Sequence, residues 1–256
     1  MDTKKKIKAI IWPLIYTVLI ATVCVNAALV FHSYYYTPIY ISGPSMEPTL
    51  TGQGEMVDYG IIDTHSYAID NITKNKTRFK VITTYYPFSN GSSSDYEGGY
   101  VVGKDNVVSK DASYKIKRIY AFPGESFKFQ VYENPNDAND KTVYFYVKDG
   151  NDIRSWENIL PQTIKFKRNI NFLSRDYNYE HNEPLGENEY WVMGDNYAAS
   201  YDCYSVKKPI YRDNIVGVLI AIEGQCKISR SATSDGGTHV SATCTNRKKY
   251  SWPKFF

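Results

Sequence analysis

The chain has 256 residues, with 30 Lys and Arg against 27 Asp and Glu and 15% aromatic residues, including 24 tyrosines. A net charge of +3 is too balanced for a nucleic-acid binder or a polybasic membrane coat. The length suits one catalytic-sized domain with an insertion once a membrane segment is set aside, and the aromatics favour pleated, half-buried surfaces over helical bundles. The expected fold class is therefore mainly β: a single N-terminal transmembrane helix followed by an antiparallel β domain carrying a β insertion.

Lys4, Lys5, Lys6 and Lys8 precede residues 9–31, which are 23 positions without a charge. As a helix rising ~1.5 Å per residue this run spans about 35 Å, enough to cross a hydrocarbon core of ~30 Å. The lysines put residues 1–8 in the cytoplasm and everything after Phe31 on the far side of the plasma membrane, as a single-pass protein. A cleaved secretory signal is the competing reading, with Val25-Asn26-Ala27 as a cleavage point, but the apolar core of a signal is only ~7–15 residues long. An uncleaved anchor is expected, with Tyr34, Tyr35, Tyr36 and Tyr40 at the membrane interface.

Directly beyond comes Ile41-Ser42-Gly43-Pro44-Ser45-Met46-Glu47-Pro48-Thr49-Leu50. Gly43, Pro44 and Pro48 bracket Ser45, so its backbone is held out of regular structure, where a side chain stands exposed and N–H groups point at a ligand. The plain alternative is an ordinary loop serine. The 14 residues from Phe31 to Ser45 reach at most ~46 Å, which keeps Ser45 near the outer membrane face.

Short strands are expected at 55–59 and 79–86, then a Ser/Gly-rich loop at 89–103 that contains the acceptor sequon Asn90-Gly91-Ser92. Tyr114-Lys115-Ile116-Lys117-Arg118-Ile119-Tyr120 alternates and breaks at Pro123-Gly124-Glu125, a strand running into a turn. The first part of the main domain thus covers 32–125, a β insertion with alternating runs covers 126–188, and the main domain resumes at 189–224. Within that last part Tyr190-Trp191-Val192-Met193 is a strand ending in the turn Gly194-Asp195-Asn196, and 215–222 is a buried strand too short to cross a membrane. Residues 225–256 form a polar, then basic and aromatic tail. No CxxC pair exists, which disfavours a cysteine zinc site. Cys226 and Cys244 are able to close a disulfide loop if the domain lies outside the cytoplasm, but spacing alone does not decide.

A serine hydroxyl near neutral pH is a poor nucleophile and needs a base. The four histidines are scattered, so the candidate bases are lysines, and Lys117 is the best placed. It must be neutral to act, which requires its pKa to fall from ~10.4, as burial beside Ile116, Ile119 and Phe122 would cause. The alternative is that Lys115, Lys117 and Arg118 form a solvated, charged strand edge.

Three segments stand in order behind the anchor: Ser45-Met46-Glu47-Pro48-Thr49; Lys117-Arg118 followed by Phe122-Pro123-Gly124-Glu125; and Met193-Gly194-Asp195-Asn196 with Ser200 and Asp202. This set resembles the type I signal peptidases, specifically their bacterial Ser/Lys branch, from the anchor to about Gly217. The resemblance implies a membrane-bound serine endopeptidase that cuts after a small residue, typically Ala-x-Ala, in secreted preproteins bearing signal peptides. Ser45 matches the family's nucleophile and Lys117 its general base. Ser200 matches the serine that hydrogen-bonds the base, and Asp195 the aspartate that pairs with the arginine after it, here Arg118. The oxyanion donors would be the backbone N–H of Ser45 with a group at Gly43 or its neighbour Ser42. Ile39, Ile41, Met46 and Ile116, with Ser42, match the substrate-binding wall, along which the substrate lies as an added strand.

The chain departs from the family in two places. Arg78-Phe79-Lys80-Val81 is only a loose echo of the third motif, usually Arg-Gly-Asp. Asp202-Cys203-Tyr204 replaces Asp-Ser-Arg, leaving Asp202 to bond Tyr204 or solvent. Expected partners are preproteins and membrane lipid, with no nucleic acid, metal or cofactor and a monomeric state. Two other readings stay open: a sortase-like transpeptidase built on Ser241-Ala242-Thr243-Cys244 and Arg247, and a catalytically inactive anchored β domain that binds partners.

Overall fold

In the computed structural model the uncharged run folds as helix α1 (Thr3–Tyr35), extending beyond residues 9–31 at both ends. Its stretch Ile11–Phe31 is long and apolar enough to cross a membrane, and none of it is buried within the protein. The few polar side chains inside that stretch bond back to the helix itself: Thr17 Oγ1 donates to Pro13 O, Thr22 Oγ1 to Val18 O and Asn26 Nδ2 to Thr22 O, at 2.8–2.9 Å. Such pairing is what an apolar solvent would require, because a polar group left without a partner there costs several kcal/mol. The structure describes residues 3–86, 113–149, 156–158, 178–231 and 241–255. The loop expected at 89–103 and its sequon lie outside the described residues.

Met1–Thr37 forms one compact unit and Pro38–Phe256 another. The strands, in chain order, are β1 (Tyr36–Tyr40), β2 (Met56–Asp63), β3 (Val81–Tyr86), β4 (Ser113–Ala121), β5 (Glu125–Asn134), β6 (Asp137–Asp149), β7 (Glu157–Asn158), β8 (Tyr179–His181), β9 (Glu189–Met193), β10 (Ile210–Tyr211), β11 (Ile215–Ser231) and β12 (Ser241–Phe255). An eight-stranded sheet has the order β1-β2-β11-β3-β4-β9-β10, with β12 added on β11. A four-stranded sheet, β7-β6-β5-β8, is built from the stretch read as an insertion. The fold is mainly β and antiparallel, as the tyrosine-rich composition predicts.

The alternating aromatics of the insertion are what join the two sheets. Phe127 on β5 lies 4.5 Å from the Trp191 ring on β9, and Tyr120 on β4 lies 5.0 Å from Phe145 on β6. All four side chains are buried. Each such pair adds to its area burial about 0.5–1.5 kcal/mol. This core backs β4 and β9, the two strands that carry the second and third motif segments, and so fixes their register: Arg118 pairs Met193 and Ile119 pairs Val192.

Two elements differ from the sequence reading. Helix α2 (Ser66–Lys74) was not expected, since only Ile69 and Ile72 mark its buried face and residues this polar read as a connection. The tail at 225–256 is no tail over its described residues. Strand β11 runs 17 residues to Ser231, well past Ile222, and pairs with the 15-residue β12, to which the Cys226–Cys244 disulfide fastens it. The polar alternation of these residues is that of a hairpin with one solvated face.

Candidate active site

The loop from Ile41 to Gly52 presents Ser45. Its base is closed by Gly43 N–H donating to Gly52 O at 2.8 Å, and its body is held by turns in which Glu47 N–H donates to Pro44 O and Leu50 N–H to Met46 O. Gly43 takes φ +100°, a conformation that side-chain-bearing residues rarely adopt, which accounts for glycine at that point. The Gly43 amide is thereby already engaged. Within the described residues, neither the amide nor the hydroxyl of half-buried Ser45 has a hydrogen-bond partner.

The third segment grips this loop from the other side. Asn196 donates its backbone N–H to Ser45 O and its side-chain Nδ2 to Pro44 O, each at 3.0 Å. Thr49 Oγ1 donates to Asp195 Oδ2 at 2.5 Å. Gly194 is packed so tightly that a Cβ there would overlap both Ser45 O and Ser200 Oγ. Gly194→Ala is accordingly expected to push the nucleophile loop off its seat and cost at least about 100-fold in cleavage rate, since a ~1 Å misplacement of reacting groups has that effect. A cleavage assay of the folded variant checks it, and near-normal turnover would show that the loop has slack.

Lys117 and Arg118 lie on β4, an interior strand between β3 and β9, so the charged-edge alternative does not hold. Lys117 is 1% exposed and Arg118 6%. Arg118 makes a bidentate pair with Asp195, Nε to Oδ1 at 2.8 Å and Nη2 to Oδ2 at 2.6 Å, and donates Nη1 to Phe79 O at 2.5 Å. Because Arg118 faces Met193 in the ladder, Lys117 comes one step on, where β9 gives way to Gly194. Burial pulls the Lys117 amine down to about 8; Asp202 opposes that shift and neighbouring Lys115 assists it. At pH 7 roughly a tenth of such amines are neutral, some 300-fold more than at the ordinary value.

Asp202, 2% exposed, has its carboxyl pushed up by burial, with Lys117, Ser200 and Gly194 opposing the shift. It finds its bonds locally. Oδ2 accepts from Gly194 N–H at 2.9 Å and Ser200 Oγ at 2.5 Å, while Oδ1 caps the short helix α3 (Cys203–Val206) by accepting from the Tyr204 and Ser205 amides. The bond to Tyr204 is thus to its backbone, which explains how the position tolerates tyrosine. The loose third motif also has a structural role: Phe79 sits at φ +62°, the left-handed conformation, and Arg78 Nη2 donates to the buried Glu125 at 2.6 Å. Of the expected substrate wall, Ile41 and Met46 are buried in one apolar cluster, with Ile39 and Ile116 packed against it, while Ser42 is exposed. Thr49 and Asn196 went unassigned in the sequence, where nothing local marks them as partners of Asp195 and Pro44.

A family model described as signal peptidase, peptidase S26, matches residues 11–222. The chain belongs to that family. No curated protein matches it. Membership makes the chain a protease of the signal peptidase kind, whose members remove signal peptides and are membrane-associated, in keeping with α1 as a single anchor. The sortase-like reading is corrected: Cys244, its required nucleophile, is bonded to Cys226 and offers no thiolate. The peptidase S26 match ends at 222, so all of β12 lies beyond it.

Proposed function

We propose that the chain is a membrane-anchored serine endopeptidase that removes signal peptides from exported preproteins through a Ser45/Lys117 dyad, with a cytoplasmic N-terminus and the β domain on the outer face. The observation that carries this reading is a buried lysine amine held down to about 8, one residue before the Arg118–Met193 pair, while Gly194, next after Met193, packs against the Ser45 carbonyl.

Neutral Lys117 takes the Ser45 proton as Oγ attacks the scissile carbonyl carbon. The Ser45 N–H faces the resulting oxyanion, and with the Gly43 amide bonded to Gly52, Ser42 is the second donor. Lys117 then passes its proton to the leaving amine, which departs with the mature protein, and the signal peptide remains as an ester on Ser45. Lys117 next takes a proton from water, whose oxygen attacks the ester carbonyl carbon; as the bond to Ser45 Oγ breaks, Lys117 returns that proton to Oγ, the peptide acid leaves and both groups are restored. Ser200 supports the base: its hydroxyl donates to Asp202 Oδ2, so toward the amine its oxygen can only accept, the reverse of the bond the family resemblance implies. Arg118 and Asp195 anchor the strand under Lys117 and the loop under Ser45. The substrate runs extended along the part of β4 before Lys117, which pairs with β3 but not β9, and along the residues before Ser45, its small side chains against Ile39, Ile41, Met46 and Ile116. Residues 32–125 and 189–224 make up the catalytic part and 126–188 the insertion. The chemistry calls for no metal or cofactor and no second protomer.

Purified full-length protein carrying Ser45→Ala, given a preprotein, tests the reading. Cleavage should vanish, and cleavage that survives would overturn it.

A further inference from the structure

Strand β12 lies outside the stretch shared with the family, yet it bonds a buried carboxylate that holds the Ser45 loop. Asp58, on β2, is 2% exposed. Its backbone joins both ends of the loop: Ile41 N–H donates to Asp58 O, and Asp58 N–H donates to Thr51 O, each at 2.8 Å. Its side chain strengthens the second joint, with Oδ2 accepting the Thr51 amide at 2.8 Å. The other oxygen, Oδ1, accepts Tyr250 Oη from β12 at 3.1 Å and Gln225 Nε2 from β11 at 3.2 Å.

A buried carboxylate keeps one orientation only while its lone pairs are occupied. Tyr250 supplies one of those bonds and is itself tightly placed. Its ring packs on the apolar cluster that contains Ile41 and Met46, and burial together with Asp58 pushes its phenol up to about 12. The strand is fixed from behind by the Cys226–Cys244 bond and by the pairing of Gln225 with both Lys248 and Asp58.

We infer that Tyr250 and Asp58 are positioning residues for Ser45, and that β12 sets the seat of the nucleophile loop through the chain Tyr250 Oη, Asp58 carboxylate, Thr51 amide. This deepens the Ser45/Lys117 reading and rests on it. Without the phenol donor Oδ1 keeps only the bond from Gln225, the carboxylate is held less firmly toward Thr51, and the loop end it holds shifts. Reaction rate is steeply sensitive to such shifts, whereas the substrate wall and the base stay where they were.

The test uses the full-length chain in vesicles with a preprotein substrate. Tyr250→Phe keeps the ring and removes one hydrogen bond, and is expected to lower kcat about 10-fold, the equivalent of one bond to a charged group, with KM unchanged. The midpoint of the pH profile should not move, because Lys117 is untouched, and the unfolding temperature should fall by no more than about 4 °C. Asp58→Asn should cost at least as much, and adding Tyr250→Phe to it should cost nothing further. A Tyr250→Phe enzyme with normal kcat, or with a loss seen only in KM, or losses that multiply in the double variant, overturns the inference. Loss of cleavage in Ser45→Ala is measured alongside: if that variant still cleaves, the dyad itself has failed, whereas a full-rate Tyr250→Phe in a Ser45-dependent enzyme removes only the positioning role.

Discussion

Lys117→Met is expected to abolish preprotein cleavage while making the protein more stable at pH 7. The activity loss follows from the missing base and should reach about 10⁴-fold or more, the scale seen when one member of a nucleophile–base unit is removed. The stability gain follows from burial. The Lys117 amine falls from 10.5 in the unfolded chain to about 8 in the fold, so between these values the unfolded state binds more protons and the folded wild type gains stability as pH rises. Below pH 8 the folded protein carries the full penalty, on the order of 3 kcal/mol at 1.36 kcal/mol per pH unit. Methionine fills the same space without a charge, so the variant escapes the penalty. Urea unfolding of both proteins from about pH 7 to 10 checks this: the difference in favour of the variant should be largest at pH 7 and shrink toward pH 10. A variant less stable than wild type at pH 7 would mean that the amine is well solvated in the fold.

Arg118→Ala is expected to be the most damaging change outside the dyad. Removing the guanidinium leaves Asp195, fully buried, without the cation that holds both its oxygens. Breaking a buried pair in this way costs about 3–5 kcal/mol, a large share of a total folding stability of about 5–15 kcal/mol. Asp195→Ala should cost a similar amount and additionally free Thr49, so its residual activity should lie below what stability alone accounts for. Arg118→Lys should not rescue either property, because an ammonium cannot make the two parallel bonds and also reach Phe79 O. Replacing both partners with apolar residues should recover most of the stability and none of the activity. Denaturant midpoints of the four variants check the series; a loss under about 1 kcal/mol in Arg118→Ala would show that Asp195 finds water in its place.

What the sequence made legible were features carried by neighbouring residues. The uncharged run before Ser45, the Gly/Pro bracket around it and the alternation around Lys117 are local patterns, and they gave the anchor helix, the loop and strand β4. The family resemblance that the ordered motif set carries implied Asp195 as the partner of Arg118, and the two are paired in the fold. The rest depends on contacts between distant parts of the chain. Thr49 meets Asp195 across 146 positions, and Tyr250 meets Asp58 across 192. Nothing local to Tyr250 distinguishes it from the chain's 23 other tyrosines. The C-terminal hairpin was missed because its exposed lysines and serines make half of each strand polar, which reads as a tail when no partner is in view. Asp202 illustrates the same limit: the family's arginine is missing two residues on, which left Tyr204 or solvent as its partner, whereas three backbone amides, of Gly194, Tyr204 and Ser205, and the Ser200 hydroxyl satisfy it, and amides leave no signature in a sequence.

The central claim is that an uncharged Lys117 amine deprotonates Ser45, and the pH dependence of kcat/KM for a preprotein, followed from about pH 6 to 10.5 in the full-length protein, tests it most directly. The rate should rise along a single acid limb with its midpoint near the value of about 8 set by burial, then level off. A rate still climbing tenfold per unit at about pH 10 would contradict it, since the base would then be an ordinary solvated amine.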